Sequence, residues 1–393
     1  MVDYDVIVSG AGPAGSYAAY RCAKAGLRTV LLEKMGTPRD KVCAGGVLER
    51  AVRTLDFPIP DGVIEKEIMG MALISGDSRS EIRSKGRMGI TVRRSVFDDF
   101  LVKKAESVGA EFLDEVGSTE ANELEDEVRV VTKRGEFRGK LLIVAEGVNS
   151  PNAKRLVGEY VKNEQVAGVT VELNLNQDPG DLMEFHFFHS DGKRFHPPAL
   201  GYGWMFPRRN ACNIGIGVKG MGKEALQARI KEIADVTEAR CSGGAQVGPQ
   251  RAHPFPLRMR RTIRSRRSMV VGDAGGLANP ATGEGLSYAF QTARLASDSA
   301  TDFITNGNGA APAIYERRCR DTVISDINGA RLIAGAIRST LGPLSTGKFF
   351  ESFCASDKLV RASFDIIQGN RNWHALLGVV IPDLPRLYFS SIK

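Results

Sequence analysis

The apolar positions of this chain fall in short runs whose period changes from place to place. Asp5–Ser9 reads as a buried β-strand, and a glycine-rich turn leads from it into a helix of small residues ending near Gly26. Thr29–Leu32 is a second apolar strand and ends in Glu33. Far downstream, Met269–Val271 again reads as a strand, followed by Gly272-Asp273. The turn PATGEGLSYAF then opens a long helix near Gly283–Leu286. Between these units the period drops to two. QVAGVTVELNLN, DLMEFHFF, GYGWMF and ACNIGIGV predict an antiparallel sheet. Tyr202, Trp204 and Phe206 alternate, so in a strand they share one face. Pro207 is expected to end that strand, and NIGIG to begin the return strand of a hairpin.

Helical spacing takes over elsewhere. Met221–Val236 reads as an exposed amphipathic helix, Asp326–Gly342 as a helix with a small-apolar face, and Trp373–Phe389 as amphipathic and proline-broken. The expected fold class is α/β: a Rossmann-like nucleotide-binding domain, an inserted antiparallel β-sheet substrate domain and a helical C-terminal region. The expected boundaries are 1–65, 90–150 and 262–305 for the first, 66–89 and 151–261 for the second, and 306–393 for the third. No internal repeat or low-complexity linker interrupts them.

The first turn carries the strongest chemical signal. Gly10, Gly12 and Gly15 form GxGxxG between a strand and a helix. Gly10 permits the tight turn, Gly12 lets backbone approach a pyrophosphate, and Gly15 lets helix and strand pack closely. The helix N-terminus offers free N–H groups to phosphate. Glu33 stands where an acid accepts hydrogen bonds from a ribose 2′-hydroxyl. The unit predicts a dinucleotide and leaves NAD and FAD open.

Composition adds limits. The 393 residues are 42% hydrophobic and 25% charged, an ordinary globular balance. No apolar stretch has the length of a membrane span, and the N-terminus lacks a basic leader, so a cytoplasmic location is expected. The six cysteines (22, 43, 212, 241, 319 and 354) form no CxxC pair, which points away from a disulfide framework or zinc site. His186 and His189 lie in a strand-like segment, and no metal is expected. Net charge is +7, and Leu257–Arg267 alone holds six arginines. That run is either a solvated face or a landing surface for an anionic membrane or an acidic electron-donor protein. Neither basic run carries interleaved aromatics, so no nucleic acid is expected.

Together, GxGxxG with Glu33 and the late VVGDAGG…P…GEG resemble the FAD-dependent superfamily of aromatic hydroxylases. The resemblance implies FAD, with Asp273 on its ribityl hydroxyls and Gly283, Gly285 and Leu286 along the pyrophosphate and isoalloxazine. TVRRSVFDDFL matches the superfamily's R-x-x-F-D helix start, which places Arg94 toward the cofactor and Phe97 in the core; a plain ion pair is the alternative for Arg94. Val116 is expected to offer backbone to the adenine side, and Ala14 and Lys34 complete the cofactor set. Many members have Ala-Asp-Gly where this chain has Ala145-Glu146-Gly147, so no role is carried to Glu146.

Within that superfamily, Y-x-W-x-F-P followed by G-x-G, together with VCAGGV, resembles the geranylgeranyl reductase family. That implies saturation of isolated double bonds in polyprenyl chains, in isoprenoid ether-lipid synthesis. Cys43, Ala44 and Gly46 are then expected against the flavin, with Cys43 on the substrate side. Tyr202, Gly203, Trp204 and Phe206 are expected to bind the chain, and Cys43, Tyr202 and Trp204 are the catalytic candidates. A flavin monooxygenase or halogenase, and a non-catalytic FAD carrier, remain alternatives. The expected partners are a polyprenyl lipid, an electron donor such as reduced ferredoxin or NADPH, and a membrane surface touched peripherally.

Overall fold

The computed structural model describes residues 2–76, 78–160, 165–188, 201–217, 221–256, 258–341 and 352–392. His189 and His196 lie outside them. Three sheets organise the chain. The first contains β1 (Tyr4–Ser9), β2 (Thr29–Leu32), β8 (Glu111–Leu113), β9 (Ser118–Glu123), β10 (Val128–Thr132), β11 (Gly135–Val144) and β17 (Ser268–Val270). Its order is β8-β2-β1-β11-β10-β9, with β17 paired to β11. β8, β2, β1, β11 and β17 run parallel, and β9 and β10 add antiparallel strands at the edge. Helices on its faces explain why β1 and β2 carry nearly continuous apolar residues. Gly15 is indispensable here: a Cβ on it would stand 1.8 Å from the Gly10 carbonyl oxygen.

A small sheet, β3 (Gly46–Leu48), β7 (Gly89–Val92) and β4 (Ile64–Ile68), hinges the first sheet to the third. The third contains β5 (Gly70–Ser75), β6 (Ser78–Arg83), β12 (Gln165–Leu175), β13 (Leu182–Phe187), β14 (Tyr202–Arg208), β15 (Ala211–Gly217) and β16 (Gly244–Pro256). Its order is β16-β12-β15-β14-β13-β5-β6. It is antiparallel except where β5 runs parallel to β13. One face carries the Lys223–Arg240 helix through Ile230 and Ile233. The other shares a core with the C-terminal helices Ser325–Leu341, Asp357–Ile367 and Trp373–Ile392, where Met183 and Phe206 meet Leu359, Phe364 and Trp373.

Three sequence expectations change. Pro207 does not end β14: it pairs with Cys212, and the turn falls at Arg209–Asn210. Its carbonyl is useful there, accepting the Thr91 hydroxyl of the hinge sheet at 2.6 Å. Pro382 and Pro385 do not break the last helix, since both are exposed where water can satisfy the carbonyls they leave unbonded. The arginine run is bonded within the fold rather than free, although only Arg260 is buried and Arg261, Arg264 and Arg266 are exposed. Arg260 is buried, lies 4.0 Å from the Tyr160 ring centroid and donates to the Ala274 carbonyl at 2.7 Å. Arg264 pairs with Glu316, and Arg266 and Arg267 bond the Leu124 and Glu125 carbonyls. Carbonyls and two carboxylates, Glu316 and Asp126, from distant segments take up charge that the linear sequence presents as a free patch.

Candidate functional site

A cavity of about 670 Å³ lies between the first sheet, the third sheet and the C-terminal helices. Its nucleotide end is built by the GxGxxG turn, where Gly10, Gly12 and Ala14 line the wall. Gly15 lies behind them, packed against Gly10 and outside the lining. Glu33, at the end of β2, accepts the Ala11 amide at 2.9 Å and the Met35 amide at 3.2 Å, and Arg39 approaches it at 3.4 Å. Lys34 lines the same wall. Val116 does not: its side chain is buried in the core and its amide donates to the Glu33 carbonyl at 2.7 Å. Gly117 and Ser118, one and two residues on, reach the cavity instead. Glu146 is structural, accepting hydrogen bonds from Ser9, Ser150 and Asn152, each at 2.6 Å.

The second grip comes from the turn after β17. The Asp273 carboxylate faces the cavity and makes no hydrogen bond or ion pair among the described residues. Burial raises its pKa, and the charges of Lys41 and Arg94 oppose that rise. The Tyr160 hydroxyl lies 2.9 Å from the Asp273 carbonyl and holds the turn from behind. Gly285 passes so close that a Cβ on it would be 3.2 Å from Asp273 Oδ1. Gly283, Gly285 and Leu286 all line the wall at the start of the Leu286–Thr305 helix. Two observations fit FAD: a half-buried carboxylate with no partner among the described residues, and two glycine turns open to the same space. FAD is the cofactor, and these residues fit it.

The loop before β3 closes the middle. Cys43, Ala44 and Gly46 line the cavity, and the Gly45 amide lies 3.4 Å from Cys43 Sγ. Gly46 allows the close approach of this loop to the third sheet, since a Cβ there would be 2.7 Å from Phe206. Arg94 is buried beside Cys43 and makes a bidentate pair with Asp98 at 2.7 and 2.8 Å. Arg94 is thus ion-paired and also lines the cavity.

Lys41 and His253 also meet here, the ammonium donating to His253 Nε2. Sequence reading missed both; they are 212 residues apart. Burial first, then Arg94, pushes Lys41 down to about 8. Burial, then Lys41 and Arg94, pushes His253 down to about 4. An unfolded imidazole titrates near 6.5, so on acidification the unfolded chain takes up this proton first. We expect the flavin-free protein to lose this contribution as pH falls from about 6.5 to about 4, and His253→Gln to flatten that window. Urea unfolding of both proteins across this range checks it; parallel stability curves would contradict the assignment.

The far end is apolar. Tyr202, Trp204 and Phe206 line it with Met183 and Phe185 of β13, and Ile366, Ile367 and Trp373 close it from the C-terminal helices. Phe185 lies 5.5 Å from Tyr202 and 5.7 Å from Phe206 between ring centroids. The Tyr202 hydroxyl donates to the Thr282 carbonyl, and the Trp204 indole N–H to Asn213 at 2.9 Å. With both polar handles engaged by protein, the rings offer carbon to the cavity. Gly203 points the other way, as strand alternation requires, and its added Cβ would meet Ile233 and Phe188. Arg50 was also missed. It pairs with Glu284 and lies 5.0 Å from the Tyr288 ring centroid, and Asp326 joins the Tyr288 hydroxyl to the Trp373 amide. This chain of contacts ties the cofactor turn to the helical roof.

Residues 3–323 match the FAD binding domain family. Digeranylgeranylglycerophospholipid reductase 2 of Methanococcoides burtonii is 30% identical over 348 residues, covering 84% of this chain and 83% of that protein. Geranylgeranyl diphosphate reductase of Rhodobacter capsulatus is 30% identical over 323 residues, covering 78% and 77%. The fold matches that of a geranylgeranyl bacteriochlorophyll reductase-like protein from Thermoplasma acidophilum, with a TM-score of 0.78 at 19% identity over 98% of this chain and 97% of the other. A flavin cradle gripped from both ends of the sequence, and these relatives spanning most of it, lead to one assignment: the chain belongs to the FAD binding domain family and, within it, to the geranylgeranyl reductases.

Proposed function

We propose that this protein saturates isolated carbon–carbon double bonds of polyprenyl chains of the geranylgeranyl type, within isoprenoid ether-lipid synthesis. The observation that carries the reading is the cavity in which the flavin cradle opens directly onto an aromatic wall whose Tyr202 hydroxyl and Trp204 N–H are bonded within the protein. When bound and reduced, FAD supplies the hydride. The chain's own residues do the rest. Tyr202, Trp204, Phe185 and Phe206 hold the alkyl chain and exclude water, and their ring faces favour positive charge developing at a trisubstituted carbon. Cys43 meets the chain from the loop side, where it orients the alkene or passes on a proton from water. Lys34, Glu33 and the glycine turns hold the adenosine and phosphates, and Asp273 the ribityl hydroxyls.

The flavin unit is assigned to 1–65, 90–150 and 262–305, the substrate unit to 66–89 and 151–261, and the roof to 306–393. Electrons come from reduced ferredoxin or NADPH, and the enzyme acts from the cytoplasm against a membrane surface. No helix among the described residues is long and apolar enough to cross a membrane.

The test is anaerobic. Protein reduced with dithionite and given a geranylgeranyl substrate should form product heavier by two hydrogens per bond, read by mass spectrometry. Cys43→Ser should keep its flavin absorbance while turnover drops at least about tenfold, roughly 1.4 kcal/mol of barrier. A need for oxygen with an oxygenated product would move the assignment to a flavin monooxygenase or halogenase. Unchanged turnover in Cys43→Ser would leave the thiol a packing residue.

A further inference from the structure

The Trp204 indole lies across a strip of sheet that carries no side chains. In the antiparallel β14–β15 pair, Tyr202 is opposite Gly217, Trp204 opposite Gly215 and Phe206 opposite Asn213. Residues opposed in this way share a face, so side chains at 213, 215 and 217 would stand directly against the aromatic ledge. Two of those three positions are glycine. A Cβ at 215 would be 2.2 Å from Trp204 Cζ2 and 2.6 Å from Cε2. At 217 it would be 3.7 Å from Cζ3, and at Gly168 of β12 it would be 3.6 Å from Cη2. The ring therefore rests on the backbone of three glycines from two strands.

The third opposed residue sets where on that floor the ring sits. Asn213 is 4% exposed, and its Oδ1 accepts the Trp204 indole N–H at 2.9 Å. The Thr170 hydroxyl, also buried, lies 2.7 Å from the same oxygen and orients the amide. Without that acceptor, the indole N–H would be left unpaired in an apolar wall, which favours a different ring orientation.

We propose that Asn213 and Gly215 are positioning residues for Trp204, holding its indole flat on the sheet and so setting the width of the apolar end of the cavity and the alkyl chains it admits. The identity of the chain rests on the reductase reading above; the placement of the ring does not. A flat indole leaves room along the sheet for a long branched chain. An indole that stands up from the floor shortens that room and discriminates against longer chains first.

The chain has two tryptophans, Trp204 and Trp373, and both line the cavity. In a Trp373→Phe background, Trp204 emission reports the ring's environment directly. We expect Asn213→Leu to shift that emission in the FAD-loaded protein. It should also weaken binding of a twenty-carbon prenyl alcohol by about tenfold relative to a ten-carbon one, raising KM for the long chain more than it lowers kcat. Asn213→Asp, which keeps an acceptor oxygen, should restore both. Gly215→Ala should act like Asn213→Leu. Gly217→Ala adds only an ordinary contact and should leave the emission where it was. Asn213→Leu with unshifted emission and an unchanged preference between the two chains would overturn the proposal. If the unsubstituted protein binds neither alcohol, the polyprenyl reading fails and the specificity role with it, whereas the emission shift tests the seat of the ring by itself.

Discussion

Asp273→Ala should purify without its yellow colour. The carboxylate of Asp273 has no hydrogen bond or ion pair among the described residues, although burial works against its charge. A partly desolvated acceptor without partners carries a cost that a ligand can remove. Hydrogen bonds from ligand hydroxyls to a carboxylate contribute about 1.5–3 kcal/mol, so their loss weakens FAD binding by about one to two powers of ten. The substitution also removes the uncompensated charge. The flavin-free variant should therefore be at least as stable as the flavin-free parent, while FAD stabilises it far less. The ratio of flavin to protein absorbance after purification, and thermal unfolding with and without FAD, check both halves. A fully yellow Asp273→Ala would remove the second grip from this account. Asp273→Asn, which keeps one acceptor oxygen, should fall between the two.

The second large effect is on stability. Arg94 and Asp98 are 8% and 2% exposed and joined by two short hydrogen bonds, with Arg39 3.5 Å from the same carboxylate. Asp98→Ala leaves a guanidinium in the interior without its partner, and breaking such a pair costs about 3–5 kcal/mol. Replacing both members, as in Arg94→Met with Asp98→Leu, should recover most of that loss, because an apolar pair of similar volume needs no compensation. A double-mutant cycle from urea unfolding measures the coupling. A single Asp98→Ala costing under about 1 kcal/mol would mean that water or Arg39 reorganises around Arg94. Because Arg94 also lies beside Cys43, the double variant asks in addition whether the loop keeps its place without the guanidinium.

Short-range rules made the cofactor unit legible. The GxGxxG turn, the small-residue helix and Glu33 occupy one strand–turn–helix–strand unit, and its sterics are decided by neighbours a few residues away. The late Gly272-Asp273 strand end, and the alternation that puts Tyr202, Trp204 and Phe206 on one face, follow from local periodicity in the same way. Other positions depended on surroundings that the local sequence does not show. The Val116 side chain lies in the core, and Gly117 and Ser118 line the cavity beside it. Pro207 stayed in its strand because its carbonyl had a partner in another sheet.

Other features had no local signal at all. His253 beside Lys41, Arg50 with Glu284, and Asp326 joining Tyr288 to Trp373 are pairs brought together from distant parts of the chain. The arginines of 258–267 looked like one basic surface, yet carbonyls and acids from other segments engage at least four of them. The sequence by itself determined the nucleotide unit and the residue types of the aromatic ledge, since backbone sterics and side-chain alternation act over a few residues. Only the tertiary structure decided which charges are free, which polar groups are already satisfied and what closes the cavity, because burial and pairing are set by the packing of segments remote in sequence.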